Sequence, residues 1–410
     1  MPAASGEKRI GYRQALGPAN PADAALYEEN WKAFLAALDA HYEQIAEAKG
    51  QKTLLADPPP TAPAIAHRPK NSAKVAYKFP LPEESSYYKK QLSEVYKWNT
   101  PAVDEDAFKK RFAEEAKSRG VTREQLIGIY KFETGAKGTH DFKAHNSSAI
   151  GYVQMLAHNS LAKVEAHGAE YAAMFKSMAV NATDPNVKKE YEHKAAVLLD
   201  MQRDVKKIDE LYKSSPLLPY EIAQGGREPR NKEERLTWFA NLDERRVPND
   251  HALAPYRNKG AAIHGLLMTP ELGPIMQAQK LQEMKQNWFA NGLKGEPTAP
   301  QLEFINLIGE SAAIPILKSK LQGDGKLADH PITNFVTKKA YLGNPILQER
   351  FDKQGNTIKS TGATQVKAIE DRMNETKDTD SSLLLASLYD AAPAAAKKIP
   401  VPKKKPDQVA

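Results

Sequence analysis

Apolar residues recur at three- and four-residue spacing through most of this chain, and runs of alternating β-branched residues are nearly absent. That pattern predicts helices and few strands, so the expected fold class is mainly α. Residues 22–49 read as one amphipathic helix, with Leu26, Trp31, Phe34, Leu35, Leu38, Tyr42 and Ile45 on one face and Gly50 to end it. Asp104 is placed to cap a helix that carries Phe108 and Phe112 and closes at Gly120. Thr122 and Gln125 form the spacing of a capping box and open a short helix, TREQLIGIYKFE, that stops at Thr134-Gly135. Asp184-Pro185 starts a long helix through Val187, Tyr191, Leu198, Met201, Val205, Ile208 and Tyr212. Another begins at Thr269-Pro270 and runs through Leu272, Ile275, Met276, Leu281, Met284 and Trp288.

Composition shifts divide the chain. Residues 56–69, ADPPPTAPAIAHRP, form a Pro-rich linker that cannot continue a helix, so residues 1–70 are expected to be a helical accessory segment on a tether. Residues 71–350 are expected to hold the main helical domain, with the charged helical stretch 160–235 as an insertion. Residues 351–390 read as a short C-terminal extension, in which Gln354-Gly355-Asn356 turns the chain into a terminal helix. Residues 391–410, rich in Lys, Pro and Ala, read as a disordered basic tail.

Charge and composition narrow the functions further. A chain of 410 residues with 41% apolar content is long enough for roughly two or three structural units with buried cores. No stretch approaches the roughly 18 consecutive apolar residues of a membrane span, and the first residues lack the apolar core of a secretory signal peptide. The absence of cysteine excludes disulfides, thiol catalysis and cysteine-based metal sites. Much of the net charge of +7 sits in the tail, where Lys397, Lys398, Lys403, Lys404 and Lys405 face only Asp407. Such a tail is either a solvated end or an attraction to an anionic polymer: cell wall, membrane surface or nucleic acid.

One carboxylate stands where none belongs. Glu133 follows Ile129, Tyr130 and Phe132 on the last turn of its predicted helix. Partial desolvation and the negative end of the helix dipole both favour its protonated form. A carboxylic acid held protonated near neutral pH is what a general acid for glycosidic cleavage requires. The alternative is a glutamate pointing to solvent at a frayed helix end. Further on, SSAIGYVQML (residues 147–156) sets a glycine, Gly151, beside Tyr152 and puts Gln154 inside an apolar frame, where its amide must find partners. Tyr152 offers an aromatic surface with a hydroxyl.

The run from Glu133-Thr134-Gly135, through a polar loop, to Ser148, Gly151, Tyr152 and Gln154 resembles the catalytic signature of the soluble-type lytic transglycosylases, which share their architecture with goose-type lysozymes. Residues 131–156 carry the resemblance, and residues 100–350 follow it loosely. The stretch LEFINLIGESAAIPIL (residues 302–317) is a fainter echo of a later helix of that family. Three features depart from it: threonine replaces serine after the glutamate, the loop is longer than is usual, and no tyrosine-asparagine-alanine-glycine element is evident.

The resemblance implies a lysozyme-like helical domain and peptidoglycan glycan strands as substrate. It implies Glu133 as sole acid and base, no cofactor, and Thr134, Ser148, Gly151, Tyr152 and Gln154 at the glycan. The reaction it implies cleaves the bond between N-acetylmuramic acid and N-acetylglucosamine with a 1,6-anhydro product. The site of action would be the periplasm or cell wall, reached through a phage particle, a secretion apparatus or another leaderless route. A second carboxylate would turn the reading toward a lysozyme-like hydrolase, with Asp141 and Glu310 as the candidates. The rival readings are an inactive glycan-binding or virion-structural protein that keeps the fold, and, behind it, a nucleic-acid-binding protein driven by the tail. His140, His145, His158 and His167 fall close together but lack the spacing of a metal site and read as loop and helix-surface residues.

Overall fold

The computed structural model describes residues 81–393, apart from 145–146, 220, 222–228, 230, 323–326, 337–344 and 352–356. The predicted helix at 22–49, the Pro-rich linker, the turn at 354–356 and the tail beyond residue 393 lie outside the described residues.

The described chain is mainly α. In order come α1 (Ser86–Tyr96), α2 (Glu105–Ser118), α3 (Arg123–Thr134), α4 (Ala157–Asn181), α5 (Pro185–Lys206), α6 (Ile208–Ser214) and α7 (Lys232–Ala240). They are followed by α8 (Lys259–His264), α9 (Gly273–Ala290), α10 (Ala299–Ile308), α11 (Glu310–Gln322), α12 (Gly362–Glu375) and α13 (Asp380–Ala391). Among the described residues the only strands are β1 (Arg350–Phe351) and β2 (Thr357–Ile358), a two-residue antiparallel pair. No helix among them is long and apolar enough to cross a membrane.

Local chemistry sets the helix ends. Asp104 accepts from the backbone N–H groups of Asp106 and Ala107, as expected of a cap. Thr122 and Gln125 make both halves of the capping box, and α3 stops at Gly135 in the left-handed region, with φ 62°. The long helix expected after Pro185 is interrupted at Lys207, whose N–H is shared among the carbonyls at the end of α5. The chain resumes as α6, whose Tyr212 ring meets Trp238 edge-on at 5.1 Å. Val187, predicted on the apolar face, is exposed. The terminal helix expected after 356 is two helices, α12 and α13, opened by Thr361 and Thr379 capping boxes.

The described chain forms two compact units. One holds Lys90–Trp98 and Ala157–His264. The other holds Pro82–Lys89, Asn99–Leu156 and everything described from Gly265 on. The intervening unit therefore runs further than the insertion expected at 160–235.

In the first unit, α4 and α5 pack along each other as a hairpin over Leu161, Val164, Phe175, Leu198 and Met201. Lys194 is buried against Trp98 and Phe175 and is neutralised by Glu190 at 2.7 Å. In the second unit, α9 and α13 pack on α2, and α10 packs on α3 and α12. That last arrangement brings chain segments far apart in sequence to the end of α3, where Glu133 lies.

Candidate functional site

Glu133 occupies the last turn of α3, behind the fully buried Ile129 and Tyr130, and is itself half-buried. Its Oε1 accepts a hydrogen bond from Asn306 Nδ2 at 2.7 Å. The same nitrogen lies 3.2 Å from Oε1 of Glu303, one turn earlier on α10. Glu303 is completely buried, and its Oε2 receives no donor group among the described residues.

Two carboxyl groups gathered on one amide cannot both ionise at low cost, because like charges in a desolvated site repel. Burial pushes Glu133 up to about 7, against the pull of a hydrogen bond from Glu303, the Lys280 charge, the Asn306 amide and the Arg372 charge. Burial, and then the neighbouring Glu133, push Glu303 well above the ordinary carboxylate range. The pair therefore holds a shared proton near neutral pH and titrates as a unit, with Glu303 as the donor toward Glu133. Four helices supply this site: α3 gives Glu133, α9 gives Lys280, α10 gives Glu303 and Asn306, and α12 gives Arg372.

The polar loop after α3 returns through an irregular hairpin, with bridges pairing Lys143 to Ile150 and Ile150 to Met155. At its tip Gly151 has φ 86°, and a Cβ there would lie 2.6 Å from Oε1 of the buried Gln277. That oxygen accepts the N–H of Tyr152 at 2.7 Å, so the glycine serves a close approach between the hairpin and α9.

The residues predicted to meet glycan take other positions. Tyr152 is fully buried among Phe108, Phe112 and Tyr130, with centroid separations of 5.7, 5.4 and 5.3 Å, and its hydroxyl donates to Glu105. The expectation of a ring offered to a sugar is not met, since aromatic neighbours cover the ring. Gln154 donates from Nε2 to the carbonyls of Phe142 and Gly151, at 2.9 and 2.8 Å, and so ties the hairpin together from within. Thr134 is buried and spends its hydroxyl on the Tyr130 carbonyl, one turn back. Ser148 is half-buried in the loop.

Neither predicted second carboxylate is the one that meets Glu133. Asp141 accepts from Thr139 within the loop. Glu310 opens α11 and accepts from Asn287 of α9 and from Asn291, the cap that follows α9, at 2.6 and 2.9 Å, which anchors a helix start. The partner is Glu303. Its signal was the same as that of Glu133: an acid inside an apolar helix, APQLEFINLI, with Asn306 three residues later on the same face.

Tyr152 instead closes a half-buried polar anchor. Glu105 accepts from the Tyr152 hydroxyl, from His140 N at 3.1 Å and from Lys109 Nζ at 3.3 Å, and pairs with His140 Nδ1 at 2.7 Å. Burial alone would raise this carboxyl, but these partners outweigh it and hold Glu105 down at about 2. Tyr152→Phe removes one partner of a half-buried carboxylate, so we expect a stability loss of about 1–3 kcal/mol. Urea unfolding checks this; a stability equal to the wild type would mean the hydroxyl is not engaged.

Of the other three, His158 lies 3.5 Å from Glu233 and 3.5 Å from Thr237, His167 lies 3.0 Å from Glu170, and His145 is outside the described residues. No group of three or more metal-ligating side chains gathers among the described residues. The chain matches no protein-family model, no curated protein and no solved structure.

Proposed function

We propose that this protein is a lysozyme-like lytic transglycosylase of bacterial peptidoglycan, with Glu133 as both acid and base. The observation that carries the reading is the Glu133–Asn306–Glu303 arrangement. Two-carboxylate glycosidases set their acids roughly 5–10 Å apart, on opposite sides of the scissile bond. Here both carboxyls touch one amide nitrogen, within 3.2 Å, so no sugar fits between them. Glu303 is sealed from solvent and Glu133 is not, which leaves a single acid able to reach substrate.

A carboxyl held at about 7 suits a group that must give a proton and then take one. In the proposed reaction Glu133 protonates the glycosidic oxygen and the C1–O bond breaks, with the substrate's N-acetyl oxygen supporting C1. The Glu133 carboxylate then removes the proton of the C6 hydroxyl, and O6 closes on C1. The products are a free sugar hydroxyl and a 1,6-anhydro end; no water is consumed, and Glu133 ends protonated as it began. Asn306 holds the Glu133 carboxyl in place, and Glu303 supplies a hydrogen bond that favours its ionised form.

Digestion of purified peptidoglycan, followed by mass spectrometry, tests the reading. Anhydro-muropeptides, each lighter by one water than the hydrolysed fragment, are the expected products. Reducing-end fragments of ordinary mass would make the protein a hydrolase. Retention on sacculi without release of any fragment would make it a binding protein.

A further inference from the structure

The guanidinium of Arg372 lies over the ring of Phe132, 5.5 Å from its centroid, beside the turn that carries Glu133. Stacking of this kind fixes where the cation stands while leaving the edge of the guanidinium open. Its acidic neighbours on α12 are engaged elsewhere: Lys367 binds Glu370 at 3.1 Å and Asp371 at 2.9 Å. Arg372 is exposed and its charge acts on Glu133, but no ion pair or side-chain hydrogen bond at contact distance occupies its guanidinium among the described residues. A cation in the last turn of a helix is ordinarily accounted for by the helix dipole. That effect does not require the group to lie over a ring next to a catalytic acid, with its planar set of donors unspent. A guanidinium so held matches a carboxylate, which takes two parallel hydrogen bonds from it.

We propose that Arg372 recognises a carboxylate of the glycan strand and thereby selects peptidoglycan over glycans that lack one. The inference rests on the transglycosylase reading of Glu133. Peptidoglycan offers this chemistry in two places, the lactyl group of a muramic acid stripped of its peptide and the free carboxylates of the stem peptide. Glycans built only from N-acetylglucosamine offer neither.

The test pairs the residue with the substrate group. Wild type, Arg372→Gln and Arg372→Lys are assayed on amidase-stripped strands and on peptide-bearing strands, each native and after chemical reduction of its carboxyl groups. For the wild type, reduction of the recognised carboxylate should raise KM by about tenfold or more, as expected for a charge-assisted hydrogen bond, and change kcat little. In Arg372→Gln the same reduction should change KM by less than about twofold, because residue and carboxylate act through each other. Arg372→Lys should fall between the two, keeping the charge without the paired donors. The strand type that shows the effect identifies the carboxylate. If reduction moves KM equally in wild type and Arg372→Gln, or not at all in wild type, Arg372 does not read a carboxylate. A shift in the pH profile with unaltered substrate preference would likewise overturn the proposal, assigning Arg372 to the charge balance of Glu133. A wild-type chain that cuts none of the four substrates overturns the transglycosylase reading itself.

Discussion

Glu133→Gln is expected to lower the rate of anhydro-muropeptide release by about 10²–10⁴-fold, the range a positioned general acid and base contributes. Glutamine keeps the shape of the side chain and an oxygen that can still accept from Asn306 Nδ2, now 2.7 Å from the carboxyl, so the local packing should survive. What it loses is the exchangeable proton. The same substitution should change how stability depends on pH. Glu133 is raised above its ordinary value to about 7, so between those two values the folded protein keeps a proton that the unfolded chain has released. Its contribution to stability is therefore fully present below the ordinary carboxylate value and is lost as pH rises through about 7, by on the order of 3 kcal/mol at most. Thermal unfolding of Glu133→Gln should show that slope flattened between about pH 5 and 7. Full activity in a folded Glu133→Gln protein would remove Glu133 from the chemistry.

Glu303→Leu is the second large effect, and its sign follows from the direction of the hydrogen bond. Glu303 donates to Glu133 and favours its ionised form, while burial acts the other way. Leucine removes the donor and leaves the site at least as dry, so Glu133 should rise further. The basic limb of the kcat/KM profile then moves above 7, by about one pH unit for the loss of one such donor. At neutral pH a weaker acid protonates the glycosidic oxygen less readily while a larger share of it is protonated, so the rate should fall by no more than about fivefold. Glu303→Gln retains an amide donor and should keep a profile close to that of the wild type. Either replacement leaves Asn306 Nδ2 its acceptor on Glu133 and removes a buried oxygen that receives no donor group, so both variants should fold. Identical pH profiles for the Gln and Leu variants would show that Glu303 takes no part in the titration of Glu133.

Helix-forming and helix-ending signals act over a few residues, which is why so much of the architecture was legible. The Thr122/Gln125 box, the Asp104 cap and the Asp184-Pro185 start are local hydrogen-bonding devices, and each forms where its residues stand. Glu133 was conspicuous for a local reason too: a carboxylate on a turn whose neighbours must be buried carries its own desolvation. Gly151 stands where the chain comes close to another side chain, and the group it approaches is Gln277 of α9.

The rest depended on which distant segments meet. Glu303 carries the same misplacement as Glu133 but was not among the carboxylates expected beside it, and nothing in the neighbourhood of either predicts that Asn306 will bridge them across 173 positions of chain. Tyr152 and Gln154 look like substrate ligands in isolation, because a hydroxyl and an amide in an apolar frame need partners; the folded chain itself occupies the Tyr152 hydroxyl with Glu105 and the Gln154 Nε2 with the carbonyls of Phe142 and Gly151, and among the described residues only the buried Gln154 Oε1 of these groups goes without one. Likewise, Arg372 is an ordinary helix-ending cation until α12 and α3 pack and lay it over Phe132. Short-range propensity chose the elements and marked one costly acid. Only the packing of four helices from separate parts of the chain decided which carboxyl lies beside Glu133, and which polar groups find their partners inside the fold.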